Sequence, residues 1–574
     1  MRKLALASAC IIASSSGLAL GAAPSSAAST AAPGSTIDYQ LTPELKGGRL
    51  DALAVRISLE GDPDGETHIR LPDKWSGVEE LHKAIGDLKA QGARVRRLSP
   101  AEVVLTHAPR APISLSYRVR QSFEGELEAG SPPFRASVMS DRFTVLGWAV
   151  FGEVAAPVGR PVAFRWGPTP EGWTVASDLD HGVAHTGDLL DSVLMGGDGM
   201  QLIEREAAGG RLRVAVHGTW RFQPADLSDL LVKVAETSSQ FWGDREDDFF
   251  VAVTPLANPR GGSAQYGVGL SDAFSLWTTR DSSEASLRHI VTHEHQHVWF
   301  PGRVGGVRTG ADEPLDYWLS EGFTDFYTLR LLLRSGEWSL EDFAAAYNRI
   351  LREYASSPVQ GAPNAVIQAG FWEDPNVADL PYQRGLMLAA LWDDRLRRST
   401  GGRNDLDDVV MAMKNRAENG GRNAIENLRL SYASLGGKGL ENDLRALVDQ
   451  GAPVSLPADM FGACATIRTV ETPTFDRGFD SAATNAQGGI AVGVDPQGPA
   501  YRAGLRNGMR IVARSGGLDQ DPNAELLYQV ADKTGVKQIR YRPAGRTVAV
   551  QEVVLAQDLD EAKRAACARR MGGL

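Results

Sequence analysis

The chain has 574 residues, 43% of them hydrophobic, enough apolar content for roughly two to four ordinary globular domains. Its 71 acidic residues outweigh 60 Lys and Arg, giving a formal net charge of −11. No basic block stands out, which argues against a nucleic-acid partner. The acidic balance favours solubility and says little about chemistry.

Met1-Arg2-Lys3 gives a basic start, followed by a small-residue and apolar run from Leu4 to Leu20 and A-x-A-like sites between Ala22 and Ala28. This pattern predicts a secretory signal peptide over residues 1–28, with Cys10 leaving with it. No later run reaches spanning length, so the expected product is exported, periplasmic or secreted, without a stable membrane span. Two cysteines then remain, Cys464 and Cys567. In an exported chain they form a candidate disulfide, and the loop-entropy account gives such a bridge about 4–5 kcal/mol.

Residues 37–187 read mostly as strand. LDALAVRISL, AEVVLTH, ISLSYRVRQS and FTVLGWAVF alternate or run apolar over short lengths. One helix is expected at VEELHKAIGDLKAQG (78–92), closed by Gly92. The region reads as a β-sandwich-like domain. Beyond it, GRLRVAVHG and DDFFVAVTPL predict strands flanking a helix in ADLSDLLVKVAETSSQFWG. PRGGSAQYGVGLSDAFSLW then passes from a glycine-rich loop into an alternating strand.

The run LRHIVTHEHQHVWF holds the pattern H-E-x-x-H. On a helix His293 and His297 are four residues apart and project from one face, where two imidazoles can hold one Zn²⁺. Glu294 is placed to reach a water at the metal rather than the metal itself. The pattern arises by chance in roughly one chain in a hundred of this composition, so it needs support. A catalytic zinc wants a third protein ligand and an open position. Glu321, in WLSEGFTDFY, is the best candidate, because a carboxylate among Trp318, Phe323 and Phe326 needs a cation. Asp325, one turn on, is placed to accept a hydrogen bond from the far nitrogen of a ligand histidine. His295 points off the ligand face, and His289 reads as packing.

After this motif the chain turns helical, in EPLDYWLSEGFTDFYTLRLLLRSG, SLEDFAAAYNRILREYASS and YQRGLMLAALWDDRLRRS. Ser335-Gly336 stops the first of these, and Ser339 with Asp342 resembles a cap for the next. A Pro/Gly linker near Gly451–Pro457 leads to a β-rich segment. There GGIAVGVD, GLRNGMRIVAR and KQIRYRP predict strands, and AELLYQVADKTG (524–535) predicts a short helix.

HEHQHVWF, WLSEGF and PYQRG together resemble the gluzincin metallopeptidases of the aminopeptidase N type. The closer similarity is to the glycyl aminopeptidase family, whose members end in a PDZ domain. DSVLMGG (191–197), HG (217–218) and GGIAVGVDPQGPAYRAGLRNGMRIV carry that similarity. The resemblance implies a multidomain α+β chain. It would comprise an N-terminal β-sandwich-like domain (37–187), a thermolysin-like catalytic domain of mixed sheet plus helical lobe (188–452), and a C-terminal PDZ-like domain (465–558).

The resemblance further implies one Zn²⁺ per chain on His293, His297 and Glu321, with Glu294 as general base and acid. Tyr382 would donate to the developing oxyanion. The expected partner is a peptide or protein substrate, with a further peptide ligand at the PDZ-like domain. One departure concerns substrate binding. Both families place a Glu in the strand before the metal helix to bind a free amine, and residues 259–279 contain none. Gly267, Gly269 and Asp272 are the candidate substrate-binding positions, Asp272 substituting with a shorter side chain. This leaves aminopeptidase and endopeptidase open, beside the alternative of a non-catalytic peptide-binding protein with a structural zinc.

Overall fold

The computed structural model describes residues 35–573 apart from 132, 156–159, 184, 246–247, 259–262, 271, 517–520 and 534. The expected signal peptide lies outside the described residues, as do the first glycines of the glycine-rich loop and Ser271. The chain divides into two compact units. One holds residues 35–337 and 396–440, the other 338–395 and 441–573. The expected domain limits at 187/188 and 452 fall inside these units. Among the described residues no helix is long and apolar enough to cross a membrane.

The larger unit begins with a hairpin. Strands Ile37–Lys46 and Arg49–Glu60 pair antiparallel across Gly47-Gly48. Both glycines have positive φ, which a two-residue hairpin turn of the favoured twist requires. Ile37, Tyr39 and Leu41 alternate into the core while their neighbours face outward. The hairpin belongs to a five-stranded sheet, and two four-stranded sheets follow in the same region.

The helix expected at 78–92 is not formed. Only Leu81–Ala84 makes a single 3-10 turn, and Ile85–Gln91 is a strand paired with Pro112–Val119. Ile85, Leu88 and Ala90 pack on the core from that edge. The edge of Pro112–Val119 offers a ladder of backbone partners, and a local bulge at Gly86–Lys89 accommodates the irregular spacing. Tertiary pairing thus overrides a helical pattern that had little besides periodicity behind it.

The part that positions the site is a five-stranded mixed sheet with helices. Its strands are β1 (Gln201–Ala207), β2 (Gly210–Val216), β3 (Phe249–Leu256), β4 (Gln265–Gly269) and β5 (Ala273–Thr279). The spatial order is β1-β2-β3-β5-β4, with β2, β3 and β5 parallel and β4 antiparallel at the edge. β3 and β5 are buried at every position, as central strands are, with the hydroxyls of Thr254, Ser275, Thr278 and Thr279 inside. Helix α1 (Pro224–Trp242) makes the crossover from β2 to β3, starting on a proline and ending at Gly243 in the left-handed region.

Helix α2 (Glu284–Gln296) packs against β4, β5 and α1, capped by Ser283, whose hydroxyl accepts from the Ser286 amide. Helix α3 (Tyr317–Arg334) packs against α2 and α1 and is buried from Tyr317 to Leu333. Every face of this helix meets protein. Its two acids, Glu321 and Asp325, therefore call for partners.

In the smaller unit, α4 (Leu340–Ser356) opens with a capping box between Ser339 and Asp342. Helix α5 (Pro375–Thr400) follows. The C-terminal β region departs from expectation twice. AELLYQVADKTG is not a helix. Leu526–Asp532 is the central strand of a three-stranded sheet, between Arg510–Ser515 and Gly535–Tyr541. Leu526, Tyr528 and Val530 are buried at a period of two, which a helical reading of the segment overlooks. GGIAVGVD is not a strand either. Gly488, Gly489 and Gly493 take positive φ, and only Ile490 makes a bridge, to Arg510.

A longer pair, Ala465–Phe475 with Ala544–Leu555, joins α4 through the Asn348 side chain, which bonds both the amide and the carbonyl of Val553. Cys464 and Cys567 form a disulfide across a sequence separation of 103, fastening the terminal helix Glu561–Gly572. Opening that loop in the unfolded chain removes a constraint of about 4–5 kcal/mol. Thermal unfolding of the intact chain should therefore shift to lower temperature under reductant, and an unchanged transition would contradict the bridge.

Candidate metal centre

His293 sits on the last turn of α2, and His297 is its capping residue, with φ −64° continuing the helical path. Both rings therefore leave the same face, their centroids 4.8 Å apart. Glu321 meets them from α3. Its Oε2 lies 3.3 Å from His293 Nε2 and 3.7 Å from His297 Nε2. The three ligand atoms are within 4.8 Å of one another. A tetrahedral zinc with bonds near 2.0–2.1 Å sets ligand atoms about 3.3 Å apart, so the triad has the right span.

The second nitrogen of each imidazole is tied down. His297 Nδ1 donates to the Phe300 carbonyl at 2.8 Å, which fixes the proton there and leaves Nε2 with a lone pair. That Nε2 is buried and has no hydrogen-bond partner. An orphaned imidazole nitrogen aimed at a buried carboxylate is what a metal ion would satisfy. His293 Nδ1 donates to Asp325 Oδ1 at 2.7 Å, so its Nε2 likewise faces the triad. His289 Nε2 lies 3.3 Å from the same Asp325 oxygen. The residues present thus fit zinc by donor type, span and outer hydrogen bonding.

Glu321 is wholly inaccessible and Glu294 only 1% exposed. Burial opposes a charge on His293, but Asp325, Glu321 and Glu294 overcome it and raise the imidazole to about 10. His297 is driven the other way, to about 3, by burial and by the adjacent His293. Asp325 is held well below the carboxylate range: burial opposes this, and His293 and His289 prevail. Without a metal, then, three buried carboxyl groups (Glu294, Glu321 and Asp325) face one protonated ligand imidazole. A dication offsets that excess.

The opposite face of α2 is fixed by α1. Gln296 donates to Ser238 Oγ at 2.6 Å and accepts from Trp242 Nε1. His295 packs between Phe249 and Trp299 and takes no part in the triad. On the sheet side β4 approaches closely because it carries glycine there. A Cβ at Gly267 would fall 2.1 Å from Glu294 Oε1, and one at Gly269 would fall 2.8 Å from His297 Cβ. The two glycines are thus packing requirements of the metal helix.

Asp272 is placed elsewhere. It lines a pocket with Asp178, His181, Asp188 and Asp191, none of them in the triad. The loop after β4 returns through Asp272 to β5, and the Asp272 carbonyl accepts from the Phe250 amide at the start of β3. Asp272 therefore joins a group of carboxylates, where burial lifts Asp178 to about 8 with a small contribution from Asp272. Tyr382 lies half-buried on α5, in the smaller unit.

One acidic residue near the triad was not singled out from sequence. Glu313, eight positions before Glu321, is half-buried, and its Oε1 accepts from the Tyr317 phenol at 3.0 Å. Only its distance from Glu321 in the chain could have drawn attention to it.

No protein-family model matches the chain, and neither does any curated protein. Solved structures do. An aminopeptidase N family protein from Idiomarina loihiensis superposes over 92% of this chain and 99% of its own, with TM-score 0.69 and 16% identity. An M1 zinc metallopeptidase from Deinococcus radiodurans is also similar, covering 74% of this chain and 95% of its own, with TM-score 0.47 and 17% identity. The first likeness shows that the chain has the multidomain fold of the aminopeptidase N type.

Two variants separate the supports of the metal. Asp325→Ala frees the outer nitrogen of His293 and should weaken zinc binding about 10–100-fold. Gly269→Ala should weaken it as well, by pushing His297. Competition with a chromophoric chelator measures both, and wild-type affinity in Asp325→Ala would contradict the arrangement.

Proposed function

We propose that the chain is a zinc-dependent metallopeptidase that hydrolyses peptide bonds, with an aminopeptidase-like preference for a free N-terminus. The observation that carries this reading is Glu294, held beside a three-residue ligand set and not part of it. A purely structural zinc has no use for such a group. The fold shared with an aminopeptidase N family protein supports the same reading.

Zinc at this triad would supply Lewis-acid polarisation and a water acidic enough to lose a proton near neutral pH. The remaining work falls to the chain. Glu294 takes the proton of the attacking water on a carboxylate oxygen and returns it to the leaving amine. Gly267 leaves that carboxylate room beside β4. β4 is the edge strand of its sheet, and an extended peptide can add to such an edge through backbone hydrogen bonds. Glu321 and the two imidazoles would hold the metal, and their side chains are buried, which strengthens electrostatic interactions there. Export is part of the proposal, supported by the basic start and the apolar run of residues 1–28.

A mixed peptide pool, free and N-acetylated, tests the reading with products identified by mass spectrometry. Chelator-sensitive removal of single N-terminal residues from free peptides is the expected result. Internal cuts in both pools would make the chain an endopeptidase, and no cleavage with zinc bound would defeat the proposal. Glu294→Gln should keep its zinc and lose turnover by about 10²–10⁴-fold. Gly267→Ala should do the same in direction, because the added methyl group occupies the position of the Glu294 carboxylate.

A further inference from the structure

The two imidazoles of the triad differ in what holds them. His293 is held by a side chain of α3, Asp325, whereas His297 is held by a backbone carbonyl, that of Phe300 at 2.8 Å. A carbonyl is only as well placed as the loop that carries it. In that loop, residues 298–306, the Pro301 carbonyl follows that of Phe300 and accepts the Val304 amide at 3.1 Å. The Val304 carbonyl in turn accepts from Asn427 Nδ2 at 2.9 Å. Asn427 is 2% exposed, and its Nδ2 also donates to the Gly421 carbonyl at 2.9 Å. Both protons of the amide are thus committed, which fixes its orientation.

Asn427 belongs to a helix pair, α6 (Leu406–Glu418) and α7 (Ala424–Ser434). The chain reaches this pair only after passing through the smaller unit, yet the pair lies in the larger one. It meets the loop repeatedly. The Gly306 amide donates to the Arg422 carbonyl at 2.8 Å, and the Ala424 amide donates to the Gly306 carbonyl at 2.9 Å. Gly305, at φ +117°, carries no side chain where a Cβ would sit 2.7 Å from Asn427 Nδ2. Arg303 and Lys414 of α6 share the Asp244 carboxylate, at 2.5 and 3.3 Å. The Phe300 ring stacks on Tyr327 with centroids 5.5 Å apart, and the Tyr327 hydroxyl donates to Asp407 at the start of α6.

Resting on the zinc reading of the triad, we propose that Asn427 is a positioning residue for the metal. Through Val304 and Pro301 it holds the Phe300 carbonyl, which keeps the His297 proton on Nδ1 and turns Nε2 toward Glu321. The helix pair supplies no member of the triad, yet it carries part of the zinc affinity.

The test uses the full chain and two readouts: zinc affinity by chelator competition, and the unfolding temperature with and without zinc. Asn427→Ala should weaken zinc binding about tenfold, the lower end of what partners of metal-bound histidines contribute. It should also shrink the rise in unfolding temperature that zinc produces. A merely structural contact lowers both temperatures alike and leaves that rise unchanged. Asn404→Ala is the control, because it removes a bond of the same kind, from Asn404 Nδ2 to the Leu435 carbonyl at 2.8 Å, at the far ends of the helix pair. Its zinc affinity should equal that of the wild type. Arg303→Gln cuts the tie to Asp244 and should give a smaller loss in the same direction, which decides the matter if Asn427→Ala fails to fold. Wild-type affinity in the folded variants, or an equal loss in Asn404→Ala, overturns the inference and leaves the zinc reading intact. A wild-type chain that retains no zinc overturns that reading, and this inference with it.

Discussion

The arrangement turns on one buried meeting, that of the Glu321 carboxylate with the Nε2 atoms of His293 and His297. A carboxylate with no solvent access is expensive unless a cation and hydrogen bonds meet it. Here both imidazoles have their other nitrogens committed, one to Asp325 and one to the Phe300 carbonyl, so their Nε2 atoms point inward. The positions of two imidazole nitrogens and one carboxylate oxygen are thereby set before any ion arrives. Preset ligands lower the ordering cost of binding and raise the precision of whatever chemistry follows.

The scaffold serves that meeting at several levels. α2 is clamped from one side by α1, through Gln296 and the stacked rings of Trp242 and Trp299, whose planes differ by 1°. From the other side it is met by β4, which lacks side chains at 267 and 269, so backbone and the Glu294 carboxylate come together. α3 is buried nearly throughout and brings Glu321 and Asp325 to α2 on one face, four residues apart. Each element is ordinary by itself. Together they place the Glu294 carboxylate next to a ligand set of which it is not a member.

The ligand set was legible because helical spacing carries it: His293 and His297 at four residues, and Glu321 and Asp325 likewise. Two acids set among Trp318, Phe323 and Phe326 call for a partner on sequence alone. Other features were hidden for physical reasons. Residues 85–91 and 526–532 have patterns that fit either period, and their strand state comes from neighbours distant in the chain. Asp272 substitutes on side-chain chemistry, and its place in the pocket with Asp178 and Asp191 is visible only in the structure. The close approach of Gly267 and Gly269 to α2 is a constraint that only packing reveals.

The central claim is the identity of the ligands, and an anomalous difference map at the zinc edge from crystals of the full chain tests it most directly. The account predicts a single strong peak per chain, about 2.0–2.2 Å from His293 Nε2, His297 Nε2 and a Glu321 oxygen, with Glu294 outside bonding distance. A peak elsewhere, a peak with Glu294 as ligand, or no peak after zinc loading would contradict it.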